Sequence, residues 1–177
     1  MVPDRPEVEP RAALAALHAD CYGWALACCG RDRESALDVL QRAYLRILDG
    51  SARFRGESSF RSFVFGVIRL TAREDGRRLR LSRPGPTPSA ELVGHPDPRP
   101  LPDDIALAGE RRARLLAALA ALSARQREVL ELVFYHDMTI AEAARVMGVR
   151  IGSARRHYER GKARLRELLP MEMRRDG

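Results

Sequence analysis

Residues 123–166 read SARQREVLELVFYHDMTIAEAARVMGVRIGSARRHYERGKARLR, and this stretch decides the fold. Ser123-x-x-Gln126 is a capping box that opens a helix containing Val129, Leu130, Val133 and Phe134. Thr139-x-x-Glu142 is a second one, opening a short helix through Ala143, Ala144 and Met147. Gly148 stops that helix, as glycine does at the position after a C-cap, where the backbone turns left-handed. A further helix begins near Gly152 and carries Ala154, Tyr158 and Leu165 along its inner face. A short helix, a glycine turn and a basic helix make a helix-turn-helix.

Proline placement organises the rest. Of eleven prolines, three lie in residues 1–10, seven in 84–102 and one at 170, so 11–83 and 103–169 are free of them. Proline breaks helix interiors, which predicts two helical blocks separated by a linker over residues 82–104. Extended, those 23 residues reach at most ~75 Å, about two turns of B-DNA at ~34 Å each. In the first block, residues 11–29 predict a buried helix ended by Gly30. Residues 33–49 predict an amphipathic one, with Leu37, Leu40, Tyr44, Ile47 and Leu48 facing inward and Asp38, Gln41, Arg42, Leu45 and Asp49 outward. After a polar loop, 51–59, a third helix starts near Phe60 and buries Phe60, Phe63, Val64, Val67 and Thr71. Its outward side is read as Phe65, Arg69 and Arg73, running into Arg77, Arg78 and Arg80. Trp24, Tyr44 and Tyr158 fall at core spacing. The fold class expected is all-α: a three-helix bundle and a helix-turn-helix domain joined by a Pro-rich linker.

The chain has 177 residues, 45% of them hydrophobic, which suffices for packed cores. Aromatic residues make up only 6%, against a barrel or sandwich. The longest uncharged stretches, 21–30 and 115–124, are ten residues, half of a membrane span. Asp4, Arg5, Glu7 and Glu9 precede any apolar run, unlike a signal peptide, and three cysteines within nine residues make no disulfide framework. A cytoplasmic protein without membrane insertion is expected. His18, Cys21, Cys28 and Cys29 invite a zinc reading, but Cys28 lies seven residues past Cys21, about 10 Å along an unbroken helix, too far to close one site with bonds of ~2.3 Å. No nucleophile–base pair, phosphate loop or paired carboxylate stands out. Neither metal, cofactor nor enzymatic activity is expected.

Charge is the remaining signal. Lys and Arg number 31 against 24 Asp and Glu, a net +7, pointing to a polyanionic partner. Residues 150–166 hold seven basic residues against Glu159, and 61–83 hold seven arginines against Glu74 and Asp75. Basicity thus sits at the C-terminal end of each block, as two contacts with one polyanion require.

The segment 117–169 resembles region 4 of a bacterial RNA polymerase sigma factor of the extracytoplasmic-function (ECF) type, through ALxxLxxRQREVLEL, TIAEAARVMGV and GSARRHYERGKARLREL. Within 32–80, DVLQRAYLRI and FRGESSFRSFVFGVIR resemble region 2, its polymerase-binding helix and promoter-opening loop and helix. The resemblance implies a region 2-like domain over 11–81 for core polymerase and the −10 element, a flexible linker over 82–104, and a region 4-like domain over 105–169 for the −35 element. Asp38, Gln41, Arg42 and Leu45 would dock on core RNA polymerase. Phe54, Arg55, Glu57 and Ser58, in the loop 54–59, would capture a flipped base. Arg61, Phe65, Arg69 and Arg73 would lie along the separated strand. Arg150, Ser153, Arg155 and Arg156 would read base edges of the −35 duplex, and Arg160, Lys162 and Arg164 would hold phosphates. An anti-sigma protein is a further implied partner. The chain departs from the family pattern at Arg42, usually glutamate, at Leu70, often asparagine, and at Asp75 and Gly76, usually apolar. The alternative is a stand-alone helix-turn-helix regulator whose first block dimerises or senses.

Overall fold

Helices account for all regular structure among the described residues, 9–82 and 104–169 of the computed structural model, which fall into two units, Met1–Arg83 and Pro84–Gly177. Residues 83–103 of the expected linker lie outside the described residues.

The first unit holds α1 (Pro10–Ala16), α2 (His18–Cys28), α3 (Arg33–Leu48) and α4 (Phe60–Ser82). The single helix expected over 11–29 is two: Leu17 (φ −94°, ψ 2°) bends the chain, and α1 folds onto both α2 and α3. Gly30 and Arg31 follow α2 at φ 64° and 70°, reversing the chain where Gly30 was expected to stop it. Asp32 then caps α3 by accepting from the Ser35 amide at 2.9 Å, and this bonding holds its carboxyl below the usual range.

Helix α3 packs through a stripe of mixed side-chain size. Ala36, Val39, Leu40, Ala43 and Ile47 are buried, the two alanines among larger aliphatic side chains, where α3 meets α2 and α4. Leu37 and Leu48, expected inside, are 54% and 44% exposed. The buried stripe is centred on the alanines with Val39, Leu40 and Ile47, which leaves Leu37 and Leu48 on its flank.

The largest correction concerns α4. Ser59 caps it, accepting from the Ser62 amide at 3.2 Å. Val64, Val67 and Thr71 are buried as expected, and Phe60 and Phe63 only partly so. Phe65 and Arg69, read as outward, are 0% and 7% exposed, while Leu70 is 50% exposed. The cause is Trp24. Its indole stacks on the Phe65 ring (centroids 5.8 Å, interplanar angle 5°), and its Nε1–H donates to the Phe65 carbonyl at 3.0 Å. A buried indole N–H needs an acceptor, and this one fixes the rotation of α4. The face turned outward is therefore shifted by about one residue and carries Leu70, Arg73 and Arg77.

The second unit holds α5 (Asp104–Ala120), α6 (Ala124–Leu130), a π-helical turn over Glu131–Tyr135, α7 (Ile140–Met147) and α8 (Ile151–Leu168). Both capping boxes form as read. The π turn inserts one residue into the 3.6 repeat. Leu132 is fully buried and Phe134 is 62% exposed. Helix α8 crosses α6 at Gly161, where an added Cβ would lie 2.9 Å from Leu130 Cδ1 and 3.3 Å from Gln126 Cβ.

Replacing Phe65 by alanine removes both the stacked ring and its packing, so the first unit is expected to lose about 3–5 kcal/mol. Urea unfolding followed by the fluorescence of Trp24, the only tryptophan, measures it.

Candidate nucleic-acid and partner interfaces

Helix α7, the turn and α8 are assembled by local bonds that the sequence spells out. Thr139 Oγ1 accepts from the Glu142 amide at 3.2 Å, and the Glu142 carboxylate accepts from the Thr139 amide at 2.9 Å. Gly148 (φ 62°, ψ 41°) closes α7, and the Val149 amide returns to the Ala144 carbonyl at 3.0 Å. Helix α8 begins at Ile151, with Arg150 as an N-cap that offers no side-chain acceptor. Ala154 and Gly161 are buried on its inner face, with Tyr158 and Leu165 half-buried.

The predicted base-reading residues fall on the first turns of α8. Arg150, Arg155 and Arg156 are exposed and Ser153 is half-buried, with Arg156 Nη2 3.4 Å from Ser153 Oγ. Arg160 continues the same face, exposed. An added Cβ at Gly152 would meet nothing within 4 Å, so the backbone there is open to a close approach. Lys162 and Arg164 flank this face. Lys162 Nζ lies 4.9 Å from the centroid of the Tyr158 ring, and Arg164 pairs with Glu167 at 2.8 Å. An exposed i,i+3 pair of this kind contributes little and exchanges readily for a phosphate.

In the first unit the loop 50–59 is exposed along Arg53, Phe54, Arg55, Gly56 and Glu57, with Ser58 half-buried. It is shaped at both ends. Asp49 accepts from the Ser51 amide at 2.8 Å, which lowers its carboxyl pKa, and Gly56 takes φ 72°. Phe54 sits edge-on to Phe60 with centroids at 5.4 Å, and at the same distance from Phe63. Of the predicted strand contacts, Arg73 is exposed. Phe65 and Arg69 are core residues and are withdrawn from the set, because the stack on Trp24 turns them inward. Arg61 is held within the unit, 3.0 Å from Asp20 and 5.4 Å from the Phe65 ring centroid.

The outward face of α3 is as read for Asp38, Gln41 and Leu45, all exposed. Sequence patterning missed that Leu37 and Leu48 are exposed on the same face as Leu45, itself 55% exposed, in a stripe of leucines interrupted by Gln41. The signal was present in the alanines at 36 and 43, whose small volume marks the true seam. On the side facing α4, Arg42 and Asp75 form a bidentate ion pair, so two departures from the family pattern turn out to be partners.

The cysteine cluster is the remaining candidate. Cys21 is fully buried and Tyr44 Oη lies 3.4 Å from His18 Nδ1. Burial pushes the Cys21 and Cys29 thiols up to about 11 and also raises Tyr44. Among the described residues, no three His, Cys, Asp or Glu groups converge to hold a metal ion, and no helix is long and apolar enough to cross a membrane.

Comparison with known proteins agrees with this geometry. Residues 14–81 match the family model for Sigma-70 region 2, and residues 112–165 that for Sigma-70, region 4. The ECF RNA polymerase sigma factor SigC of Mycobacterium tuberculosis (strain CDC 1551 / Oshkosh) is 30% identical over 138 residues, 74% of this chain and 68% of that one. The ECF RNA polymerase sigma factor SigX of Bacillus subtilis (strain 168) is 28% identical over 161 residues, 88% of this chain and 82% of its own. In fold, the chain is similar to the sigma factor RpoE of Bartonella quintana, solved with the anti-sigma factor NepR. The TM-score is 0.65 at 20% identity, covering 94% of this chain and 98% of that one.

Raised thiol pKa values mean that folding favours the protonated thiols. Their contribution is complete below the unfolded value of 9.0 and is lost as pH rises toward about 11. Iodoacetamide at pH 8 is accordingly expected to label Cys21 and Cys29 far more slowly in the native chain than in urea, as peptide mass spectrometry reads directly.

Proposed function

This chain belongs to the sigma-70 family of RNA polymerase sigma factors, of the ECF type, and from that premise we propose how its two units share the work of transcription initiation. The observation that carries the proposal is the row of exposed arginines, Arg155, Arg156 and Arg160, on the second helix of a helix-turn-helix whose first helix is capped at both ends.

The unit containing α8, within residues 105–169, binds the −35 element as duplex. Arg150, Ser153, Arg155 and Arg156, on the first turns, reach base edges in the major groove. A guanidinium pairs bidentately with guanine, worth about 1–3 kcal/mol of discrimination per good contact. Arg160, Lys162 and Arg164 hold phosphates and set register.

The unit within residues 11–81 binds core polymerase and the −10 element. Asp38, Gln41, Arg42 and Leu45 dock, and the exposed Leu37 and Leu48 extend the same apolar stripe. Phe54, Arg55, Glu57 and Ser58 form the base-capture loop, with Phe54 braced on Phe60 and Phe63. The single strand runs along the outward face of α4, where Arg73 and Arg77 are exposed. Residues 82–104 connect the two contacts. The chain acts in the cytoplasm as a specificity factor, and the bond-forming chemistry is the polymerase's own. An anti-sigma protein masks it when it is idle, a reading supported by the solved neighbour, which was captured with such a partner. The stand-alone regulator loses ground because residues 14–81, its dimerising or sensing block, match Sigma-70 region 2.

With sigma-free core polymerase and genomic promoter fragments, the purified chain is expected to give discrete start sites that share upstream sequence at fixed spacing. Leu45→Asp should abolish core binding and leave the fold intact by circular dichroism. Arg160→Ala should weaken promoter binding evenly across sequences and reduce the log–log salt slope by about 1. Arg156→Ala should instead relax preference at one −35 position. DNA binding that needs no polymerase and is indifferent to Leu45→Asp would favour the stand-alone regulator.

A further inference from the structure

Between α3 and α4 lies a cleft of about 260 Å³ with charges along its walls. Arg42 and Arg46, one turn apart on α3, meet Asp75 and Glu74, neighbours on α4. Arg42 engages both oxygens of Asp75 through Nη1 and Nη2, and its Nε donates to the Asp38 carbonyl at 3.2 Å. Arg46 pairs with Glu74 at 2.8 Å and donates to Thr71 Oγ1 at 3.1 Å. Leu45 lines the same cleft and stands 55% exposed beside these pairs.

Two features set Arg42 apart from an ordinary surface arginine. Every nitrogen of its guanidinium is bonded, although the side chain is 43% exposed. Its partner is the more buried of the two, at 19%. Partly exposed pairs add little to stability, so the value of this one lies elsewhere. A planar fork locked on a carboxylate presents a fixed, neutralised edge, and a partner that meets it need not freeze a mobile side chain.

We propose that Asp75 is a positioning residue for the polymerase-docking face: it holds Arg42 beside Leu45 in the orientation that core RNA polymerase binds. Glu74 serves Arg46 in the same way, one turn further along α3. The inference rests on the docking role of α3. Without Asp75, the Arg42 fork loses both Nη contacts and keeps only its Nε bond to the Asp38 carbonyl, leaving an uncompensated positive charge next to the apolar stripe, while Glu74, the other α4 carboxylate of the cleft, is already taken by Arg46. Lysine at 42 keeps the charge without the fork and does not substitute.

A double-mutant cycle on the full chain, read as affinity for sigma-free core polymerase, tests this. Asp75→Asn is expected to weaken binding roughly fivefold to tenfold, the scale on which residues in direct contact couple. Arg42→Lys should weaken it comparably. In an Arg42→Ala background, Asp75→Asn should change affinity less than about twofold. Asp75→Glu, which can re-form the pair, should recover most of the loss. Thermal midpoints of all variants should stay close to wild type, since the pair is a surface one. Equal losses from Asp75→Asn in both backgrounds, or losses that track the thermal midpoint, would show a purely structural tie and overturn the positioning role. If Leu45→Asp leaves core binding intact, the docking reading falls and this inference with it. Loss with Leu45→Asp together with additivity at 42 and 75 sinks the positioning role alone.

Discussion

A buried indole N–H has to find an acceptor, and in the first unit that requirement governs nearly everything else. Trp24 takes the carbonyl of Phe65 and lays its ring flat on the phenylalanine. A main-chain carbonyl in mid-helix usually accepts one bond from within its own helix. Recruiting it to a second donor from another helix fixes both the height and the rotation of α4 against α2. Ile68 and Val64 then fall into the core. The stripe left outside is Leu70, Arg73 and Arg77. The outward face of α4 is thus a by-product of satisfying one donor in the core.

The second unit is governed by backbone punctuation rather than by one large side chain. Two reciprocal capping boxes, a left-handed Gly148 and the missing Cβ of Gly161 place α8 across α6 with its arginines outward. The π-helical turn belongs to the same scheme. By adding a residue before the loop, it buries Leu132 and moves Phe134 outside, where it stacks on Tyr158 at 5.9 Å. Tyr158 in turn sits under Lys162. The aromatic contact braces the middle of α8 without occupying its basic face.

Charge is distributed differently in the two units. On α8 the outward arginines stand exposed for a polyanion that supplies the countercharge. On α3 and α4 the arginines of the cleft are matched within the unit by Asp75 and Glu74. That difference fits two kinds of partner: a phosphate backbone rewards uncompensated charge, whereas a protein surface buries it and penalises any charge left unpaired. The arginine and the aspartate that each depart from the family pattern make physical sense only as a pair.

Proline spacing, capping residues and charge runs, all of them local signals, determined the all-helical class, the two blocks, the helix-turn-helix and the arginine face of α8. These hold because caps and turns are decided by residues three or four apart. The tertiary structure alone decided which way α3 and α4 face. Periodicity locates an apolar stripe but weights a leucine above an alanine, so Leu37 and Leu48 were read inward although Ala36 and Ala43 form the seam. It likewise read Phe65 and Arg69 outward, because the bond from Trp24, 41 residues away, leaves no trace in the spacing of α4. The Arg42–Asp75 pair spans 33 residues and was visible only as two separate oddities. Contacts between distant segments are set by how whole helices pack, and no window of sequence contains both partners.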